Sequence, residues 1–394
     1  MSETPVRPRL TLTLDGREVE FEPGERLIDL IRRQGGRVPS LCDDPRLAAG
    51  GHCRLCVVRV NGRPTASCVL RAADGMKVEN EAEDLVALRR MLLEMTESLT
   101  AEGECQRCRL GPTLCEMHRQ MEEWEARPGR FAGWLGGERK FDDSNPFLLR
   151  DYSRCIHCYR CVRICDEVQG DTALTASGRG FTTNIATWFE RGLEQSTCEF
   201  CGQCIHTCPT GALADWKMLK RLEAVGLSLG YDQGDGEAGK QVVHGPDRPR
   251  KGNVKTDPLP LQRVNTVCPY CGTGCGIRLV TYENRLMGSE PRMGYPSSNG
   301  ALCVKGQFGV DFVHSPERLR HPLMKQPDGT FKEASWDEAL DFIAAKLKRI
   351  KEESGPEALA FWASARTTSE SNYLLMKFAR GVIGSNNVDN CQRT

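Results

Sequence analysis

Nineteen of the 20 cysteines fall, in order from Cys42 to Cys303, into the intervals at which thiolates grip metal clusters. Such ligand sets fix loop paths that hydrophobic burial alone would leave open, so the chain must fold around inorganic centres. At 394 residues it has room for two to four domains, yet 39% apolar and 7% aromatic content suits small modules rather than one large core. Lys plus Arg and Asp plus Glu are 53 each, so no overall basic field argues for nucleic acid. Met1 to Leu10 has neither an apolar stretch nor a twin-arginine pair, and no run approaches the roughly 18 apolar residues of a membrane span. A soluble, cytoplasmic chain is expected, and in a reducing compartment its cysteines serve as metal ligands rather than disulfides.

Residues 9 to 22 alternate as a strand pair around Asp15-Gly16, and a short helix is expected from Arg26 to Gln34. From Glu83 to Leu99 the apolar residues Leu85, Leu88, Leu92, Met95 and Leu99 recur at helical spacing and predict one buried face. Residues 150 to 215 hold an internal repeat, and Gly230 to Leu261 reads as an exposed linker rich in Gly, Asp, Lys and Pro. Ser335-Trp336-Asp337-Glu338 has capping-box form ahead of Leu340, Ile343, Leu347 and Ile350, with Gly355 as a stop. Ala358 to Trp362 then reads as a buried strand and Glu370 to Ile383 as a helix, the alternation with which an α/β domain begins.

Cys42, Cys53, Cys56 and Cys68 are spaced C-x10-C-x2-C-x11-C, with Gly50 and Gly51 just ahead of the central pair. Glycines let backbone wrap closely around a cluster, and the preceding hairpin and helix suit a β-grasp ferredoxin carrying [2Fe-2S]; zinc is the competing reading. Cys155, Cys158, Cys161 and Cys165 form C-x2-C-x2-C-x3-C, and Cys198, Cys201, Cys204 and Cys208 repeat it, followed by Pro209. In such paired runs the fourth cysteine ligates the other cluster, which groups Cys155, Cys158, Cys161 and Cys208 on one [4Fe-4S] centre and Cys198, Cys201, Cys204 and Cys165 on a second. His52, His157 and His206 stand beside ligands and are read as tuning rather than binding. Cys268, Cys271, Cys275 and Cys303, spaced C-x2-C-x3-C-x27-C, suit a third [4Fe-4S] centre or a zinc ribbon. Cys105, Cys108 and Cys115 supply only three thiolates, with His118 the nearest candidate for a fourth ligand and an ordinary surface histidine the alternative.

This succession, with Val267-Cys268-Pro269-Tyr270-Cys271-Gly272-Thr273-Gly274-Cys275 and Cys303-Val304-Lys305-Gly306, resembles the catalytic α subunit of cytoplasmic, NAD-linked formate dehydrogenases, over nearly the whole chain. Those enzymes are molybdenum or tungsten bis-pterin oxidoreductases. The resemblance implies an α+β multidomain chain: β-grasp [2Fe-2S] ferredoxin (1–80), helical three-cysteine segment (81–122), double [4Fe-4S] ferredoxin (145–220), linker (221–262), the [4Fe-4S] N-terminal domain of a bis-pterin enzyme (263–320), and the start of an α/β molybdopterin oxidoreductase domain (321–394). It gives Lys305 a catalytic and cofactor-binding place between cluster and pterin, where the alternative is a solvated lysine. The family's three-cysteine segment begins H-x3-C-x2-C-x5-C; here the histidine position is Ala101 and the last interval is six.

The implied cofactors are one [2Fe-2S], three [4Fe-4S], a fourth if Cys105, Cys108 and Cys115 complete a site, and a molybdenum or tungsten bis(pterin guanine dinucleotide). The implied substrates are formate or CO2. The implied partners are flavin- and NAD-binding iron–sulfur subunits, with electrons passing from the Cys268 centre through the paired centres and the Cys42 centre lying towards the flavin or on a branch. Asn387-Val388-Asp389-Asn390-Cys391-Gln392-Arg393-Thr394 resembles the approach to the family's metal-ligating selenocysteine or cysteine. The expectation is a chain that stops just before that ligand, at an in-frame UGA read as a stop, and that cannot oxidise formate by itself. A non-catalytic electron-transfer subunit and the large iron–sulfur subunit of respiratory complex I, similar over roughly the first 220 residues, are the competing readings.

Overall fold

The computed structural model describes residues 10–100, 115–131, 141–227 and 260–391. It divides into two compact units, 1–261 and 262–394. The linker expected at Gly230–Leu261 lies, up to residue 259, outside the described residues, as do Cys105 and Cys108.

The first unit opens with β1 (Thr11–Leu14) and β2 (Arg17–Glu20), joined at Asp15 and Gly16, whose φ values of 48° and 79° make the tight turn that matches strand twist. Helix α1 (Leu27–Arg33) follows, then β3 (Val57–Val60), β4 (Arg63–Ala66) and β5 (Lys77–Glu79). The five strands form one sheet in the order β2-β1-β5-β3-β4, parallel only between β1 and β5. Leu27, Ile28, Leu30 and Ile31 of α1 are fully buried with Leu12, Val58 and Val78 of the sheet, and each such side chain contributes roughly 1.5–3 kcal/mol. Cys56 and Cys68 belong to this same core.

Helix α2 (Glu83–Glu97) buries a face different from the one its apolar spacing predicts. Leu85 and Leu93 are inside, but so are Arg89, Glu94 and Glu97, whereas Met95 is 48% exposed. The cause is a set of polar partners. Arg89 Nε and Nη2 donate to Val57 O at 2.9 and 2.7 Å, and Nη2 also reaches Asn80 Oδ1 at 2.7 Å. Helix α3 (Glu116–Glu123) packs nearby and ends at Trp124, over which the Arg89 guanidinium lies 5.3 Å from the ring centroid.

The internal repeat is framed by β6 (Phe141–Asp142), β7 (Leu148–Asp151) and, beyond it, β10 (Leu213–Asp215), a sheet in the order β10-β7-β6. Between them lie α4 (Arg160–Ile164), the hairpin β8 (Thr175–Ser177) and β9 (Asn184–Ala186), and α5 (Gln203–Thr207). Helices α4 and α5, one from each cysteine run, pack against each other. Helix α6 (Trp216–Glu223), capped by Asp215 on the Met218 N–H at 2.8 Å, closes the unit over the buried Trp216.

The second unit begins with an antiparallel sheet of β11 (Gln262–Val267), β12 (Gly276–Tyr282) and β13 (Arg285–Pro291), followed by α7 (Val304–Phe308) and the hairpin β14 (Leu323–Lys325) and β15 (Phe331–Glu333). Helix α8 (Trp336–Ser354) starts at the expected capping box: Glu338 N–H donates to Ser335 Oγ at 3.2 Å and Ser335 N–H to Glu338 Oε2 at 2.8 Å. Strand β16 (Phe361–Ala363) pairs in parallel with β17 (Val388–Asn390) through α9 (Ser369–Lys377), a βαβ turn of chain. Trp362, on the strand expected to be buried, is exposed, and Leu340 and Ile343 of α8 also face outward, because no described element covers them.

Candidate metal centres

The loop after α1 carries Cys42, and the turn into β3 carries Cys53 and Cys56, with Cys68 just past β4. The Cys53 N–H points at Cys42 Sγ and the Leu41 N–H at Cys53 Sγ, both at 3.5 Å. Hydrogen bonds from Cys53 and Cys68 hold the Cys42 thiol well below its ordinary range, and sharing that proton pushes Cys53 and Cys68 up. The four sulfurs thus lie close enough to compete for protons, the condition for them to share metal instead. Gly51 turns through φ +64°, and a side chain at Gly50 would press on Arg163 Nη1 and the His52 ring, each 2.6 Å from its Cβ.

In the repeat the fourth cysteines change places. Cys155, Cys158 and Cys161 line one cavity together with Cys208. Cys198, Cys201 and Cys204 line another together with Cys165. Tyr152, Ile156 and Leu213 give the first an apolar wall, and Leu148, Ile164 and Leu174 the second. Backbone amides point at sulfur: Phe200 N–H to Cys198 Sγ at 3.4 Å and Ala173 N–H to Cys165 Sγ at 3.3 Å, with the Arg160 and Gln203 amides serving Cys158 and Cys201 in the same way. Burial pushes the Cys158, Cys161 and Cys204 thiols far up, and Cys198 to about 11, so these sulfurs become thiolates only when a cation compensates. These amides left no trace in the sequence beyond the regular C-x2-C interval.

The third complete set sits at the β11–β12 turn and ahead of α7. Cys268 N–H donates to Cys275 O at 2.8 Å and closes the loop, while the charges of Cys271 and Cys303 bear on Cys268 and those of all three on Cys275. Exposed Cys271 is drawn down by the Thr273 hydroxyl and amide, with Lys305 and Arg366 adding positive charge. Gly306 brings backbone beside Cys268, whose Sγ would lie 3.6 Å from a Cβ there. Arg366 went unnoticed in the sequence. It also bears on Cys391, drawn down chiefly by Ser364, whose Oγ is 3.4 Å from the sulfur.

Cys115 is buried at the start of α3; its Sγ accepts from the His118 N–H at 3.4 Å and donates to Pro209 O at 3.6 Å. The His118 ring lies with Nε2 3.2 Å from Glu122 Oε1. Among the described residues no three His, Cys, Asp or Glu side chains converge on a point suited to one ion; the thiol sets ring wider spaces. Nor is any described helix long and apolar enough to cross a membrane.

Four segments match known families: residues 7–83 a 2Fe-2S iron–sulfur cluster binding domain, 145–214 the ferredoxin-like domain of NADH-quinone oxidoreductase subunit 3, 261–315 the Fe4S4 domain of molybdopterin oxidoreductases, and 318–394 the molybdopterin oxidoreductase domain itself. The matched segments thus place iron–sulfur cluster domains of the 2Fe-2S and Fe4S4 kinds ahead of a segment that matches the molybdopterin oxidoreductase domain. It is 32% identical over 392 residues to the "Probable oxidoreductase YjgC" of Bacillus subtilis strain 168, across 97% of this chain and 39% of that protein. It is 30% identical over 407 residues to a "Putative formate dehydrogenase" of Staphylococcus aureus strain USA300, across 98% and 39%. The chain thus spans well under half the length of these curated relatives. Among solved structures, an NAD+-reducing [NiFe]-hydrogenase matches 52% of this chain and 87% of its own at 32% identity, with a TM-score of 0.48.

Proposed function

We propose that this chain is the iron–sulfur relay of a cytoplasmic, NAD-linked formate dehydrogenase, carrying electrons from a molybdenum or tungsten bis-pterin site to a flavin-bearing, NAD-reducing partner. The thiols of Cys42, Cys53, Cys56 and Cys68 would hold [2Fe-2S] on a β-grasp sheet. Three [4Fe-4S] centres would rest on Cys155, Cys158, Cys161 and Cys208, on Cys198, Cys201, Cys204 and Cys165, and on Cys268, Cys271, Cys275 and Cys303. Bound clusters supply one-electron storage, and the chain tunes their potentials by amide-to-sulfur hydrogen bonds, charge and burial. Lys305, near Cys271, would place positive charge between the Cys268 centre and the pterin. The kinship with proteins named as formate dehydrogenases supports the substrate.

The exchange of Cys165 and Cys208 between the two cavities carries this reading. A tetrahedral zinc site needs its thiolates about 2.3 Å from one point, and among the described residues no three such side chains converge in that way, whereas the crossed sets ring spaces wide enough for a cluster. Cysteine-to-serine variants test it by electron paramagnetic resonance of the reduced chain. Cys208→Ser and Cys155→Ser should abolish the same [4Fe-4S] signal, and Cys165→Ser and Cys198→Ser the other. Pairing of Cys208→Ser with Cys198→Ser instead would overturn it. The match at 145–214 favours a second reading, a complex I type subunit; formate-dependent NAD reduction by the complete assembly separates the two.

A further inference from the structure

Each ferredoxin run turns its backbone into the left-handed region at matching places, His157 and Tyr159 in the first (φ 52° and 59°) and Phe200 and Gly202 in the second (φ 54° and 74°). Tyr159 is thus the counterpart of a glycine. A bulky residue there is strained where glycine would be free, and such strain persists when the surrounding contacts hold the residue in place. Tyr159 lines the cavity of Cys155, Cys158, Cys161 and Cys208. Its ring also meets the His52 imidazole edge-on, centroids 5.5 Å apart and planes at 68°. His52 directly precedes Cys53, so one ring pair spans from the wall of one thiol set to the loop of the other.

Polar contacts hold the same seam. Arg163 Nη1 donates to Cys42 O at 3.4 Å, Nη2 donates to Ala48 O, and Nε donates to Glu167 Oε1 at 2.9 Å. Glu167 Oε2 in turn accepts from the Ala48 N–H at 2.8 Å. Thr207 Oγ1, beside Cys208, donates to Asp44 Oδ2 at 2.8 Å in a buried bond. Gly50 admits both Arg163 and His52 where a side chain would not.

We propose that Tyr159 and Arg163 are positioning residues that seat the Cys42 site against the Cys155 site for direct electron exchange. One centre is oxidised by one electron, the other is reduced by one, and no bond or proton changes hands. The inference rests on the cluster assignment proposed above. Its test is the magnetic interaction between the two reduced centres, read by electron paramagnetic resonance on the anaerobically purified full chain. Tyr159→Gly removes the ring while relaxing the backbone, so iron content and both individual signals should persist while the interaction is lost. Arg163→Met should act alike, and Tyr159→Phe and Arg163→Lys should keep the interaction. An interaction unchanged in Tyr159→Gly and Arg163→Met overturns the proposal. Two signals without interaction in the unsubstituted chain overturn it alone, whereas absence of either signal overturns the cluster assignment as well.

Discussion

Glu94 and Glu97 lie three residues apart on α2, both almost fully buried, and their surroundings move them in opposite directions. Burial raises both. Around Glu94 the Arg127 N–H at 2.9 Å and the Arg130 guanidinium at 2.6 Å outweigh it and leave the carboxyl below its ordinary 4.5. Glu97 has the Gly129 N–H at 3.0 Å in opposition and stays above 4.5. A raised folded pKa means the fold holds the proton more tightly than the open chain, so the Glu97 contribution is intact below 4.5 and declines as pH rises through the folded value. Glu97→Gln should therefore raise the urea midpoint of the first unit at pH 7 and lose that advantage below pH 4.5. Glu94→Gln should lower it at pH 7, the loss fading as pH falls below 4.5. An unchanged midpoint across pH 3.5–7 in both variants, roughly the span bracketing a carboxylate's titration, would contradict this reading. These carboxylates were invisible in the sequence, since polar helix positions ordinarily face water and their partners arrive from 30 and more residues away. The cysteines were legible for the opposite reason: ligation imposes intervals that survive whatever fold surrounds them.

Elements announced by their own residues were read well, and elements that depend on neighbours were not. Asp15-Gly16 specifies a tight hairpin turn by backbone preference alone, and the strands flank it. Helix α8 was legible at its start, where Ser335 and Glu338 satisfy two amides reciprocally. Its apolar stripe lies on the helix as spaced but is open to solvent, since a stripe states what could be buried and never what buries it; Leu340 is 55% exposed and Ile343 50%. The same holds for Trp362 on β16. With so little packing on α8, the cap carries much of its first-turn stability. Ser335→Ala should cost about 1 kcal/mol, seen as faster hydrogen exchange of the Glu338 amide and its neighbours with the β11–β13 sheet unaffected. Equal protection in both proteins would mean that contacts other than the cap hold the turn.

On the scale of the whole molecule, small cores of modest apolar content are joined by loops whose paths the thiol sets dictate, so metal content and folding are one question. Of the sixteen cysteines in complete sets of four, twelve belong to the first unit and four to the second, which leaves the three-cysteine segment and Cys391 outside those sets. Iron, acid-labile sulfide and zinc per chain, measured on protein prepared without oxygen, test the central claim most directly. The relay predicts about 14 iron atoms from one [2Fe-2S] and three [4Fe-4S] centres, or about 18 if Cys105, Cys108 and Cys115 complete another, with sulfide to match. A colourless chain carrying zinc in place of iron and sulfide would contradict it.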